Sequence, residues 1–361
     1  MGAGSRQRRR EAGTRKAVEP SLALQMPIVG RTRDLPRGSD HPSALDALSC
    51  VTRALRDRVR FEAPLADYTT LRVGGPAEAF LRVRTSEELT EVVLACRRSN
   101  IPWFLLGGGS NLCVSDRGVP GLVIHNRNED LIMGEPIRVG TGHSLAGLFR
   151  RSVSHGLVGL EFAVGIPGTI GGALVSNAGA YRRSIAPLVR SLEIIDGQGL
   201  RSVGPEWMEF GYRDSRLRRS GSTGECLVSV ELDLVPGDRE GALAEARGYQ
   251  RNRIFRQPWA PSAGSFFKNV YDVELARRIP GLPKDLREAG VVPAGYLSAE
   301  CGCKGMVRGG CAVSPRHGNF IVNLGSGTAA DVRALADEVR RRVHLQFGVM
   351  LEEEVLYVGE W

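Results

Sequence analysis

No run of about eighteen apolar residues, the length needed to cross a bilayer as a helix, occurs anywhere in these 361 residues, so no membrane span is expected. The N-terminus carries charge with no apolar stretch behind it, so a secretory signal is not expected either, and the cytoplasm is the expected address. The seven cysteines are odd in number, scattered, and free of Cys-x-x-Cys pairs, which argues against a zinc site and a disulfide framework and for reduced thiols. Lysine is scarce. It occurs only at Lys16, Lys268, Lys284 and Lys304, and arginine supplies the rest of the 48 basic residues. In such a chain a lysine inside a motif marks a place where a compact, flexible ammonium is wanted, which a guanidinium fork does not replace. No repeat of solenoid length is visible.

The net charge of +8 is unevenly spread. Residues 1–16 hold Arg6, Arg8, Arg9, Arg10, Arg15 and Lys16 against Glu11 alone. A segment so poor in apolar residues cannot offset the entropy of ordering itself, and residues 1–54 are expected to be a basic, disordered extension, either solvated or the product of a start upstream of Met26. The remainder is only mildly basic, so no specific nucleic-acid partner is expected. With 42% hydrophobic residues the chain can bury two or three modest cores. The expected division is 55–237, in two lobes of about 55–125 and 126–237, followed by a C-terminal domain over 249–361.

Ala79 to Val83 alternates as a strand does, and Thr85 with Glu88 matches a capping box ahead of a helix bearing Leu89, Val92, Val93 and Cys96 on one face. Trp103-Phe104-Leu105-Leu106 reads as a short buried strand running into Gly107-Gly108-Gly109-Ser110-Asn111, and Gly121 to Ile124 as a further strand. Helices are expected at about Ser144 to His155, Glu240 to Phe255 and Asp331 to Phe347, with a closing strand from Glu354 to Val358. Gln257-Pro258 marks a boundary.

The Gly107–Asn111 loop has neither the G-x-G-x-x-G dinucleotide fingerprint nor a phosphate loop ending in Gly-Lys-Ser/Thr. Taken alone it reads first as a tight turn between packed elements. A second small-residue stretch, Gly165-Ile166-Pro167-Gly168-Thr169-Ile170-Gly171-Gly172, continues through Ser176-Asn177-Ala178-Gly179-Ala180-Tyr181. Residues without Cβ allow close backbone approach and positive φ, so two such loops on different strand systems can hold the two ends of a long cofactor.

With these loops in view, the segment Tyr68-Thr69-Thr70-Leu71-Arg72-Val73-Gly74-Gly75, the GGGSN loop and the GIPGTIGGALVSNAGAY stretch resemble the three FAD-contacting segments of the UDP-N-acetylenolpyruvoylglucosamine reductase family. The resemblance extends to Tyr212-Arg213-Asp214-Ser215, to Ala263-Gly264-Ser265-Phe266-Phe267-Lys268-Asn269, to two C-terminal segments around Gly295–Gly305 and Val313–Asn323, and to the Leu-Glu-x-Glu-Val ending at Leu351–Val355. It implies an α+β chain, with a two-lobed FAD-binding domain of the vanillyl-alcohol-oxidase type and a C-terminal α+β substrate-binding domain.

What the resemblance implies for the site is specific. Arg213, Ser265 and Glu354 are implied as catalytic, Ser265 as proton donor. Non-covalent FAD is implied to lie against Gly107, Gly108, Gly109, Ser110, Asn111, Gly165, Ile166, Pro167, Gly168, Gly171, Gly172, Asn177, Ala178 and Gly179. Arg253, Lys268, Asn269 and Tyr212 are implied to contact substrate, and Arg253 together with Arg256 resembles basic positions that the family uses near the nucleotide diphosphate. The implied reaction is NADPH-dependent reduction of UDP-N-acetylglucosamine enolpyruvate to UDP-N-acetylmuramate, carried out by a monomer or weak homo-oligomer with no metal. Two features depart from the family pattern. Arg182-Arg183-Ser184 stands where glycines commonly follow Ala180-Tyr181, and Cys303 stands where aliphatic residues are usual. The chain lacks the extra tyrosine-bearing loop of one subtype and falls with the shorter one. A flavin-dependent sugar or alcohol oxidase on the same scaffold is the rival reading. Such enzymes often tether flavin through a histidine, and neither glycine loop contains one.

Overall fold

The computed structural model describes residues 51–219 and 224–361. The expected disordered extension therefore lies outside the described residues as far as position 50. Val51 and Leu55 are buried in the first lobe.

The first lobe is a four-stranded sheet of β1 (Arg60–Pro64), β2 (Pro76–Val83), β3 (Trp103–Leu106) and, after the short strand β4 (Leu112–Val114), β5 (Val119–Asn126). The order is β1-β2-β5-β3, with β2, β5 and β3 parallel and β1 antiparallel at the edge. The connection from β2 to β3 is α1 (Ser86–Arg98), which buries Leu89, Val92, Val93 and Cys96, the face expected from the periodicity. Thr85 caps it, its Oγ1 accepting from the Glu88 N–H at 3.1 Å. The reciprocal bond falls one residue early: Glu88 Oε2 accepts from the N–H of Arg84, not of Thr85, at 2.7 Å. The same carboxylate is held at 2.9 Å by Arg58, which draws it off the box geometry.

The second lobe is a five-stranded antiparallel sheet of β6 (Leu131–Ile132), β7 (Ile137–Gly140), β8 (Val189–Asp196), β9 (Gly199–Val203) and β10 (Cys226–Leu232), in the order β9-β8-β10-β7-β6. Leu148 of α2 (Leu145–Ser154) and Leu174 of α3 (Ile170–Val175) pack with Val139, Phe162, Ile194 and Leu232 in its core. Ile195, Cys226 and Val228 face the other way, into the core of the first lobe, so the two sheets share an interface.

The Arg182-Arg183-Ser184 departure has a defined shape. Gly179–Ala180 and Arg183–Ser184 pair as a hairpin, and both loop residues, Tyr181 (φ +54°) and Arg182 (φ +62°), are left-handed. That is the conformation for which glycine is favoured at the second position. Tyr181 is fixed by stacking on Tyr249, with ring centroids 3.7 Å apart, but the Arg182 side chain is exposed. Arg182→Gly should therefore relieve left-handed strain of about 1–2 kcal/mol, less the roughly 0.5–1 kcal/mol that glycine's greater chain freedom costs, and raise the melting temperature by roughly 1–3 °C. A thermal melt on the flavin-loaded protein checks this, and a lowered midpoint would contradict it.

The helix α4 (Arg216–Arg219) precedes β10, and α5 (Arg239–Arg256) leads to Gln257. Beyond it, the three-stranded sheet β11 (Val307–Arg308), β12 (Cys311–Val313) and β13 (Ile321–Asn323) packs on α6 (Ala329–Phe347). The Thr328–Asp331 capping box starts α6, and Asp116 from the first lobe accepts from the N–H groups of Ala329 and Ala330 at 2.8 and 3.0 Å. Cys303 is fully buried among Phe266, Phe267, Leu297 and Val339, so the thiol serves here as a small hydrophobe. Burial pushes its pKa up. The closing strand β14 (Leu356–Val358) pairs in parallel with β4, starting two residues later than expected because Glu352–Glu354 bonds instead to the Phe266–Lys268 segment.

Candidate active site

The two glycine loops approach each other main chain to main chain. A Cβ on Gly108 would stand 2.7 Å from the Gly168 Cα, and one on Gly107 would stand 2.6 Å from Thr169 Oγ1. Ser110 Oγ donates to the Pro167 carbonyl at 3.0 Å, tying the loops together. Behind them opens a cavity of about 490 Å³ between the first sheet, the second sheet and the C-terminal segments. Its wall includes Trp103, Phe104 and Leu105 of β3, Gly107–Leu112, Gly165–Thr169, Gly171–Ala173, Ala178, Gly179, and Glu225–Leu227 of the second lobe.

Arg213, Ser265 and Glu354, separated in sequence, line this same cavity. Arg213 sits in a turn closed by the Gly211 N–H to Asp214 carbonyl bond of 3.0 Å, and its own φ is +51°. A non-glycine residue held there costs about 1–2 kcal/mol, which the surrounding bonds must offset. Its Nε meets Glu354 Oε1 at 3.1 Å, while its Nη1 and Nη2 donate to the carbonyls of Asn177 and Gly179. Burial pushes the Glu354 carboxyl above the usual carboxylate range, while the charges of Arg213, Arg218 and Lys268 pull it down.

Ser265 is held by its neighbours. Phe266 and Phe267 are buried, and the Asn319 amide accepts from the Phe267 N–H at 2.9 Å and donates to its carbonyl at 2.8 Å. Lys268 N–H donates to Glu352 O, and Glu354 N–H donates to Phe266 O, both at 2.8 Å. This short antiparallel pairing, with its bridge between Phe267 and Glu353, brings the serine and the glutamate to one cavity.

The other expected residues divide. Arg253 lines the cavity, with its Nε buried and unpartnered, and burial lowers its pKa. All the expected cofactor residues line the cavity except Asn177, which supports the wall from behind: its Nδ2 donates to Gly211 O at 2.7 Å and its Oδ1 accepts from Ala186 N–H at 3.3 Å. Tyr212, Lys268 and Asn269 stand outside the lining. The Tyr212 ring meets Tyr271 edge-on, and burial with that neighbour pushes its hydroxyl up to about 12. Lys268 pairs with Glu352 at 2.5 Å, and Asn269 Oδ1 accepts from the Ala294 N–H at 3.3 Å. Arg256 is not in the wall either.

Residues 77–202 match the family description of an FAD binding domain, and residues 257–358 match that of the C-terminal domain of UDP-N-acetylenolpyruvoylglucosamine reductase. UDP-N-acetylenolpyruvoylglucosamine reductase of Desulfosudis oleivorans is 40% identical over 324 residues, 86% of this chain and 97% of the relative. The Heliobacterium modesticaldum enzyme of the same description is 38% identical over 315 residues, covering 86% and 94%. The crystal structure of the Thermus caldophilus UDP-N-acetylenolpyruvylglucosamine reductase superposes with a TM-score of 0.65 at 35% identity, covering 83% of this chain and 98% of that one. The chain belongs to the UDP-N-acetylenolpyruvoylglucosamine reductase family.

It is accordingly an FAD-dependent oxidoreductase, with the two-lobed FAD-binding domain and C-terminal domain that the resemblance implied. The residues present fit the cofactor. The loops approach so closely that only hydrogen fits at Gly107 and Gly108, as a backbone cradle for a diphosphate requires, and the cavity is apolar except where Arg213, Arg253, Glu225, Glu354 and a few hydroxyls and amides enter it. No helix of the described residues is long and apolar enough to cross a membrane, and no group of three or more His, Cys, Asp or Glu among them could hold a metal ion.

Two site residues escaped sequence reasoning. Glu225 follows the segment 220–223, outside the described residues, and reaches the cavity because β10 lies against β7 and β8. Arg218 reads as one of several arginines in an Arg-Leu-Arg-Arg run, and only the tertiary fold shows it to be 7% exposed.

Proposed function

We propose that this chain reduces UDP-N-acetylglucosamine enolpyruvate to UDP-N-acetylmuramate with NADPH as the reductant, a step of peptidoglycan precursor synthesis carried out in the cytoplasm. The observation that carries the reading is the meeting of a guanidinium, a hydroxyl and a largely buried carboxyl, Arg213, Ser265 and Glu354, in the wall of the cavity that the two glycine loops form. The Gly107–Asn111 and Gly165–Gly172 loops would hold FAD, which would supply hydride for the terminal carbon of the enolpyruvyl double bond.

The protein's own part follows from charge. As the alkene carbon takes hydride, its π electrons move toward the substrate carboxylate, which gains a second negative charge as an enolate. Arg213 is permanently cationic, and with its guanidinium fixed by Glu354 and by the carbonyls of Asn177 and Gly179 it sets a positive charge in the cavity wall for that carboxylate. Burial pushes the Glu354 carboxyl up against the pull of Arg213, Arg218 and Lys268, and in its protonated form it donates a hydrogen bond to the same charge. Preorganised donors of this kind contribute a few kcal/mol each. Ser265 Oγ then gives its proton to the adjacent carbon, and the lactyl ether is complete. Arg253, at the same wall, offers a cation for the substrate diphosphate. Lys268, outside the lining, supports the site by its charge on Glu354. No histidine is among the lining residues, so a histidine-tethered flavin oxidase finds no anchor there.

The test is anaerobic. The yellow protein is bleached with NADPH, and UDP-N-acetylglucosamine enolpyruvate is then added. Full return of the flavin absorbance at one substrate per flavin is expected. Reoxidation by oxygen but not by this substrate would overturn the reading.

A further inference from the structure

Arg218 is a buried guanidinium that the reaction outlined above does not use. It is 7% exposed, and among the described residues it makes no ion pair. Its Nη2 donates to the main-chain oxygens of Glu354 at 2.7 Å and Glu353 at 3.3 Å, while Nη1 is buried without a partner. Burying a charge without a direct ion pair is costly, even with the Glu354, Asp214 and Glu352 carboxylates acting on it from further off. The placement is also rigid. Ser215, fully buried, donates to the Val175 carbonyl at 2.7 Å and accepts from the Arg218 N–H at 3.3 Å, which pins α4.

The target of this arm is the residue whose carboxyl Arg213 takes. Arg213 meets the Glu354 side chain, whereas Arg218 and Asn111 Nδ2, at 2.9 Å, share its carbonyl, and its N–H goes to Phe266 O. We propose that Arg218 is a positioning residue for Glu354, clamping its main chain from behind the cavity wall so that the carboxyl faces Arg213, and holding a positive charge that acts on that carboxyl. The inference rests on the functional reading given above.

Several groups face Glu354. Arg213, Arg218 and Lys268 favour its ionised form, burial opposes it, and the Tyr212 hydroxyl lies within reach of its charge. Asp214 and Glu352 act in turn on Arg218. Removing the Arg218 charge leaves the carboxyl protonated to higher pH. A rate that needs protonated Glu354 then persists further into the alkaline range.

The measurement is the pH profile of substrate-driven flavin reoxidation in the flavin-loaded protein, for wild type, Arg218→Gln, which keeps an N–H donor without charge, and Arg218→Lys, which keeps the charge. The alkaline limb should move up by about one pH unit in Arg218→Gln and stay near the wild-type position in Arg218→Lys. The reoxidation rate should fall about tenfold or more in Arg218→Gln, with flavin reduction by NADPH changed less than about threefold. Coincident limbs in the two variants, equal losses in both half-reactions, or loss of bound flavin from both variants would overturn the proposal. Glu354→Gln, which should abolish the limb, identifies its owner, and a persisting limb overturns the proposal as well. If reduced wild-type protein is not reoxidised by the substrate at all, the functional reading fails; if it is, and only the Arg218 variants misbehave, that reading stands without Arg218.

Discussion

Ser265→Ala should keep its flavin, accept electrons from NADPH at close to the wild-type rate, and lose roughly 10²–10⁴-fold in reoxidation by the enolpyruvyl substrate, the range of a general acid. The split follows from where the hydroxyl stands. Ser265 belongs to the cavity wall, but its segment is held by the buried Phe266 and Phe267 and by the Asn319 amide, none of which the substitution touches. The fold and the flavin cavity should therefore survive. A hydroxyl that only bound substrate would raise KM and leave the saturated rate unchanged, so the loss must appear at saturating substrate. Equal loss of both half-reactions, or a KM effect alone, would remove Ser265 from the role of proton donor.

Gly108→Ala should yield protein largely free of flavin. Here the argument is one of space. The Gly108 φ is not in the left-handed region, so alanine is acceptable to the backbone itself, but its Cβ would lie 2.7 Å from the Gly168 Cα. Main chain cannot swing aside as a flexible side chain can, so the loops must part. Overpacking of this kind costs about 1–3 kcal/mol, which, if it falls on the cradle, weakens FAD binding roughly 5- to 150-fold. The flavin-to-protein absorbance ratio after gel filtration reads the effect, and a circular dichroism melt separates it from unfolding. Protein that retains full flavin would show that the approach of the two loops is not needed to hold the cofactor.

Elements with a strong local period are legible in the sequence. The helix over Ser86–Arg98 follows from periodicity and capping chemistry, because a helix face is written in adjacent residues, and Trp103–Leu106 forms the expected strand, but only Leu106 is buried, since Trp103, Phe104 and Leu105 stand half-buried at the cavity. Less is legible at the ends of elements. The last strand starts at Leu356 because main-chain bonds to Phe266 and Lys268 claim the glutamates that precede it, a long-range competition that a local pattern cannot record. The same limit applies to side chains. Arg213 and Glu354 stand out through motif resemblance, not through any visible pairing, and Lys268 and Asn269 sit in the same motif as Ser265 yet stand outside the cavity lining. Alternation along an extended segment turns Lys268 away from the face of Ser265, whereas Asn269 is drawn off by a tertiary bond, its Oδ1 accepting from the Ala294 N–H.

By itself the sequence determined the kind of machine: glycine-rich loops where side chains would obstruct a cofactor, and no long apolar run, because these are properties of composition and of neighbours along the chain. Only the tertiary structure decided that one glutamate of three faces Arg213, that Arg218 is buried behind it, and that Gly108 touches Gly168. Charge acts through space, burial depends on what packs above a residue, and positions far apart along the chain acquire a distance only when the chain has folded.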